Sequence, residues 1–250
     1  MNEETLELRQ AALHALQLTD PDDKCAAVVA LGANQWHVDA AAVFDVPADI
    51  PGRPARPHLV LPRVVPKRDV GTREGRAALL HAVAHIEFNA IGLALDAVWR
   101  FAQMPEAYYR DWMRVAVEES QHFCLLRERL RSTGYDYGDF VAHDGLWEMA
   151  RKTSDDVLAR MALVPRMLEA RGLDASPQVR DKLLRAKDEA SAAVIDVILR
   201  DEIGHVAIGN HWFRWLCAAR GLEPRATFVQ ICAARGAPRL QGAINVQARL

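Results

Sequence analysis

Cysteine is scarce in this chain. Cys25, Cys124, Cys217 and Cys232 lie far apart and form no Cys-x-x-Cys pair. No local thiol motif is therefore present, and the four read as reduced, mostly core residues of a cytoplasmic protein. An excess of one charge is missing too: 31 Lys and Arg against 33 Asp and Glu leave a formal net charge of −2 and a pI near 6.5. Such a balance does not suit a general nucleic-acid coat. No glycine-rich phosphate loop or dinucleotide fingerprint occurs, so any reducing equivalents are expected from an external electron donor. No apolar run approaches the roughly 20 residues that span a bilayer, and Met1 opens into a charged amphipathic stretch rather than a signal peptide. No strand-like alternation stands out anywhere. What remains is 50% hydrophobic residues over 250 positions, enough for a large helical core.

Within that plain composition one pattern repeats. Glu87 is followed by Glu119-Ser-Gln-His122, and Glu169 by Glu202-Ile-Gly-His205. The intervals nearly match, 119 − 87 = 32 and 202 − 169 = 33. Positions i and i+3 share a helix face, so each Glu-x-x-His presents a carboxylate and an imidazole to one interior point. Composition alone would supply about half of one Glu-x-x-His by chance; here there are two, each with a Glu one helix-and-turn upstream. That is the donor set of a four-helix-bundle di-metal carboxylate site. Four carboxylates and two imidazoles offer hard oxygen and borderline nitrogen, which suits two iron ions, with Mn an option at either position. The flanks are apolar: Trp112, Val115, Ala116, Phe123 and Leu126 around the first motif, Ile195, Ile198, Leu199, Val206, Gly209 and Trp212 around the second. Charged groups on such faces are rarely buried unless paired or metal-bound.

Local signals place these motifs on helices. An amphipathic helix is expected from Glu3 to Leu18, and a second from Asp20-Pro21 to about Gln35. Six prolines between Pro47 and Pro66 rule out a regular helix there and imply an extended wrapping segment. Helix A is expected over Thr72–Gln103, capped by Thr72, and helix B from Pro105 to Ser132, closed by Gly134. After a long connection, helix C covers about Ser154 to Arg171 and ends at Gly172. Helix D starts near Pro177 or Asp188 and runs to Arg220, followed by a short helix from Pro224 to Ala234. The domains read as 1–70 for the N-terminal helices and wrap, 71–221 for the bundle, and 222–250 for the last helix and tail. The fold class is all-α, two hairpins joined by a longer crossover.

The wording around the motifs also resembles a known group. "AHIEFNAIGLALDAVWRF" from Ala84, "EESQHFCLLRERL" from Glu118, "LEARGLD" from Leu168 and "RDEIGHVAIGNHWF" from Arg200 resemble the ferritin-like di-iron carboxylate superfamily. More narrowly, they resemble a bacterial ferritin-like group catalogued as a domain of unknown function. The resemblance implies that Glu119 and Glu202 bridge the metals, that Glu87 and Glu169 are terminal carboxylates, and that His122 and His205 each cap one metal. The superfamily includes O2-dependent hydroxylases, one of which acts on tRNA, besides ferroxidases and peroxide-reducing proteins. It also implies an O2-activating oxidoreductase with O2 as co-substrate. The alternatives are a ferroxidase or metal-handling protein and a non-catalytic, metal-stabilised scaffold. A homodimer paired along helices A and B would fit the same resemblance.

Further residues carry weaker signals. His81 and His85 point about 120° and 200° away from Glu87 on the helical wheel and are expected to hydrogen-bond to neighbouring elements. His143 in the long connection is a candidate for the site entrance, while His211 is expected to face elsewhere. Trp112 and Trp212 lie two turns from the motifs and read first as core fillers. Glu118 and Asp201 project about 100° from their neighbouring motif glutamates. Pro165, one turn before Glu169, should kink helix C. The basic stretch Arg53 to Arg76 offers a grip for an anionic small-molecule substrate. The favoured reading is a solvated linker that pairs with acidic helix faces, with nucleic acid the less favoured partner.

Overall fold

A computed structural model describes residues 7–237. The first helix, expected from Glu3, starts at Leu8 instead, because Glu7 is extended and its carboxylate caps the N–H groups of Arg9 and Gln10; the tail beyond position 237 lies outside the described residues. Helical turns are the regular structure throughout these residues, apart from two isolated bridges, Glu7 to His37 and Leu59 to Ala142. The chain divides into two compact units between Asp144 and Gly145.

In the first unit, α1 (Leu8–Gln17) and α2 (Pro21–Ala33) pack on α3 (Arg73–Arg100) and α4 (Glu106–Ser132), which form a long hairpin. Local chemistry sets the boundaries. Asp20 accepts from the backbone N–H groups of Asp22 (2.8 Å) and Asp23 (3.1 Å), with Pro21 at the first helical position. Thr72 Oγ1 accepts from Gly75 N at 3.0 Å and starts α3. Gly134 closes α4 at φ +83°, as expected. The turn between the two helices is pinned by Tyr109, whose hydroxyl donates to the Phe101 carbonyl (2.9 Å) and accepts from Met104 N (3.2 Å).

α3 corrects one reading of the sequence. It is long enough, with a mean hydropathy of 1.5 over its most apolar window, to meet the length and composition test for a membrane span. Glu87 and Asp96 interrupt the apolar letters without lowering that mean enough. Since 72% of the window is buried inside the protein, α3 has the surroundings of a core helix.

The proline-rich segment is extended except for one 3₁₀ turn, Pro62–Val64. Buried cations anchor the irregular backbone that leads into it and, at Gly52, the segment itself. The Arg9 guanidinium donates to the carbonyls of Asp39 (2.9 Å), Ala42 (2.7 Å) and Trp99 (2.8 Å). Lys24 donates to the Gly52 carbonyl at 2.9 Å and lies over the Phe88 ring. Burial draws the Lys24 pKa down to about 8. Further along, Val60 N donates to the Ala142 carbonyl and Ala142 N to that of His58, so the wrap also pairs with the segment after α4.

In the second unit, α5 (Gly145–Lys152) and α6 (Val157–Leu163) lead into a π-helical turn, Val164–Glu169, then α7 (Ala170–Arg185), α8 (Glu189–Ala219) and α9 (Pro224–Ala234). Two differences from expectation stand out. The connection after α4 contains α5, a two-turn helix closed by buried Arg160, which donates to the Ala150 carbonyl (2.7 Å) and Thr153 Oγ1 (2.8 Å). The helix expected to stop at Gly172 continues through Pro177 to Arg185. Pro165 supplies the reason: the π turn widens the ladder around the missing N–H, so the chain bulges and goes on rather than ending. Asp188, one of the two proposed starts for helix D, caps α8 by accepting from Ser191 N at 3.0 Å.

His81 and His85 hold the segment after α4 onto α3. His81 Nε2 accepts from Gly138 N at 2.9 Å, and its ring stacks on Tyr137 at 5.3 Å. His85 contacts the Tyr137 hydroxyl through Nδ1 (2.9 Å) and the His143 carbonyl through Nε2 (3.1 Å). A neutral imidazole protonated on Nε2 accepts from the Tyr137 hydroxyl and donates to the His143 carbonyl, while Asn89 Nδ2, also 3.1 Å from Nε2, donates to the His85 carbonyl at 2.7 Å. Burial lowers the pKa of each histidine to about 4; Arg68 adds to this at His81 and Arg53 at His85, while Asp136, Asp139 and Asp144 oppose it. The unfolded chain therefore takes up protons first as the pH falls. Stability should be complete above pH 6.5 and decline between pH 6.5 and 4, by on the order of 3 kcal/mol per histidine. Denaturant midpoints measured across that range check this; a flat profile would show that the two rings are not held neutral.

Candidate metal centre

The α3–α4 hairpin brings three of the expected donors together. Ligand atoms of Glu87, Glu119 and His122 lie within 4.8 Å of one another, and all three residues are buried. His122 Nδ1 is 3.2 Å from Glu87 Oε2 and 3.4 Å from Glu119 Oε2. The i,i+3 spacing aligns Glu119 with His122, and the antiparallel hairpin sets Glu87 opposite them. Phe88 and Phe123, 5.1 Å apart between ring centres, pack beside them along the same seam. Burial by itself would lower the His122 pKa. Hydrogen bonds to Glu119 and Glu87 and the charges of both carboxylates outweigh it and push the value up to about 11. Without a metal, then, His122 is an imidazolium held between two carboxylates. A divalent cation would replace that proton as the counter-charge.

The second unit carries the repeat. Glu202 and His205 are buried on one face of α8, with His205 Nδ1 3.7 Å from Glu202 Oε1. Glu169 ends the π turn, which packs against α8, and is half-buried. Among the described residues, neither Glu169 nor His205 joins a group of three or more donors all within 4.8 Å. Pro165 of the π turn sits on Gly209 of α8: a Cβ added at Gly209 would lie 2.3 Å from Pro165 Cβ. Residues after a π insertion are turned by about 100° relative to an unbroken helix. The orientation of Glu169 is thus set by the Pro165 bulge, a dependence that residue spacing alone cannot show.

The remaining candidates fall outside these groups. His81 and His85 face the Tyr137 network, as expected from their angles on the wheel. His143 has an exposed side chain and contributes its backbone carbonyl to His85. Trp112 is a core ring packed edge-on to Tyr108 at 6.4 Å, and Trp212 contacts His211 and Trp215. Asp201 lies beside Arg200 at 2.8 Å. The basic stretch is largely engaged: Arg53 pairs with Asp144 (2.6 Å) and Arg68 with Glu74 (3.0 Å). Arg73 donates to the Thr133 carbonyl, and Arg76 to those of Val70 and Gly71. One residue escaped sequence reasoning. Arg166 of the π turn places its guanidinium over the rings of Phe213 (4.7 Å) and Phe228 (5.0 Å), and so ties the bulge to α8 and α9. No spacing rule points to it.

A family profile described as "Protein of unknown function (DUF455)" matches residues 17–250. An uncharacterized protein from Haemophilus influenzae (strain ATCC 51907 / DSM 11121 / KW20 / Rd) is 47% identical over 249 residues, 94% of this chain and 86% of that protein. No solved structure matches.

The Pro165–Gly209 contact gives a paired prediction. Gly209→Ala should destabilise the protein by about 1–3 kcal/mol, because the proline ring opposite cannot swing away. Gly172→Ala should instead be neutral or stabilise by up to ~1 kcal/mol, since an added Cβ meets nothing within 4 Å in mid-helix. Urea unfolding of both variants tests the bulge directly.

Proposed function

We propose that this chain, which belongs to the DUF455 family, is a ferritin-like di-metal carboxylate protein. The donors assigned to it are Glu87, Glu119, His122, Glu169, Glu202 and His205. The observation that carries the reading is the convergence of two carboxylates and an imidazole in the buried seam of α3 and α4, matched by a second buried Glu-x-x-His on α8. Neither composition nor packing requires ionisable groups there. Burying them is costly unless a counter-charge accompanies them. Hard carboxylate oxygens with imidazole nitrogen fit iron or manganese rather than a soft-metal thiolate site.

The reaction class proposed is oxidation of an organic substrate with O2, the electrons coming from an external donor. When bound, a pair of reduced metal ions would supply two-electron chemistry towards O2. The chain's own residues have other tasks. Glu87, Glu119, Glu169 and Glu202 would hold the metals and balance their charge. His122 would give up the proton it holds between Glu87 and Glu119 on binding, and His205 would offer a ring nitrogen. The apolar lining, including Phe88 and Phe123, would keep water from the centre. A cytoplasmic setting, where the thiols stay reduced and iron is available, belongs to the same reading.

Metal content per chain, measured on protein produced with iron and manganese available, tests this first. A pair of ions per chain is expected, falling to one or none in Glu119→Ala and Glu202→Ala, with the count unchanged in His85→Ala. Wild-type protein that folds but holds no metal would refute the centre. Loss of metal in the His85 variant with retention in the Glu119 variant would refute the donor assignment. O2 consumption by the reduced, loaded protein, without net accumulation of ferric iron, is expected of an oxidase and not of an iron-storage protein.

A further inference from the structure

The first unit contains a second side-chain pair that the metal centre does not use. α2 and α4 pack antiparallel, and three contacts share one register. Asp22 pairs with Arg127 at 2.8 Å. Cys25 and Cys124 share a side-chain hydrogen bond. Gly32 meets Val117, where an added Cβ would lie 2.4 Å from Val117 Cγ2. The residue numbers of each pair add to 149 (22 + 127, 25 + 124, 32 + 117), as rungs along two antiparallel helices must. The close approach at Gly32 and the ion pair at Asp22 bracket the two thiols, so neither helix can slide without breaking both contacts. Cys124 is exposed and Cys25 is buried behind it. Such asymmetry suits a dithiol in which one sulfur meets the reagent and the other resolves the adduct.

We propose that Cys25 and Cys124 form a reversible thiol–disulfide site, oxidised by a low-molecular-weight disulfide and reduced again by a dithiol. The Cys124 thiolate attacks one sulfur of the oxidant, forms a mixed disulfide and releases one small thiolate. The Cys25 sulfur then attacks the Cys124 sulfur, closes the internal bond and releases the second. Two protein thiols are oxidised, one external disulfide becomes two thiols, and the proton from each cysteine leaves with the departing thiolates. In a reducing cytoplasm such a bond is transient, which is the behaviour of a sensor rather than of a structural staple. Its position would fasten α2 to the helix that carries Glu119 and His122.

Oxidised glutathione is the probe, applied to the full-length protein as isolated, with peptide mapping under non-reducing conditions. Wild-type protein should yield a Cys25–Cys124 cross-linked peptide that disappears with dithiothreitol. Cys25→Ser should retain glutathione on Cys124, because nothing resolves the adduct, and Cys124→Ser should leave Cys25 unmodified. Cys232→Ser should behave as wild type. A stable glutathione adduct on Cys124 in the wild type, or cross-links only between chains, would overturn the proposal. So would modification of Cys25 in the Cys124 variant. None of these outcomes depends on metal, so failure here leaves the di-metal reading untouched.

Discussion

Carboxylates buried in an apolar helical hairpin are the constraint around which the first unit is arranged. Glu119 is fully shielded and Glu87 nearly so, yet both lie on helices whose inward positions are mostly apolar. Removing such charges from water costs several kcal/mol each unless a compensating charge is placed beside them. His122 provides one positive charge for two negative ones, and its strongly raised pKa records how firmly the pair holds that proton. Two carboxylates and an imidazole gathered at one buried point are unusual in a core and well composed as a cation site. That contrast, more than any single motif, underlies the functional reading.

The remaining burial of polar groups follows a different rule. Arg9, Lys24 and Arg160 are almost wholly inside, and each is satisfied chiefly by backbone carbonyls rather than by carboxylates. A cation used in this way can fix irregular backbone, since one guanidinium reaches several carbonyls that no helix or sheet would satisfy. The proline-rich wrap lacks many N–H donors, and Lys24 anchors it at the Gly52 carbonyl. Acidic centre and basic anchors therefore serve separate ends: one gathers carboxylates and an imidazole at a point, the other fastens loops to helices.

Legibility of the fold followed the locality of each signal. Thr72, Asp20-Pro21, Gly134 and Pro224 act within one turn of themselves, and the helices they bound were readable to within a few residues. α5 was missed because its closing interaction comes from Arg160, beyond the helix itself. Gly172 misled because a glycine near a charged cluster usually ends a helix, whereas here Pro165 upstream had already shifted the helical phase. The apolar window of α3 is masked in the sequence because single charged residues interrupt its runs while its mean hydropathy stays high.

By itself the sequence determined which residues could share a helix face: Glu119 with His122, Glu202 with His205, and the turning away of His81 and His85. Those relations depend only on the 3.6-residue repeat, a local property of the backbone. Tertiary structure alone decided that Glu87 meets Glu119 and His122, that the π turn at Pro165 seats on Gly209, and that Cys25 faces Cys124. Each of these depends on how two helices pack at a distance along the chain. Side-chain volume and close approach set that register, and no periodicity within one segment encodes it.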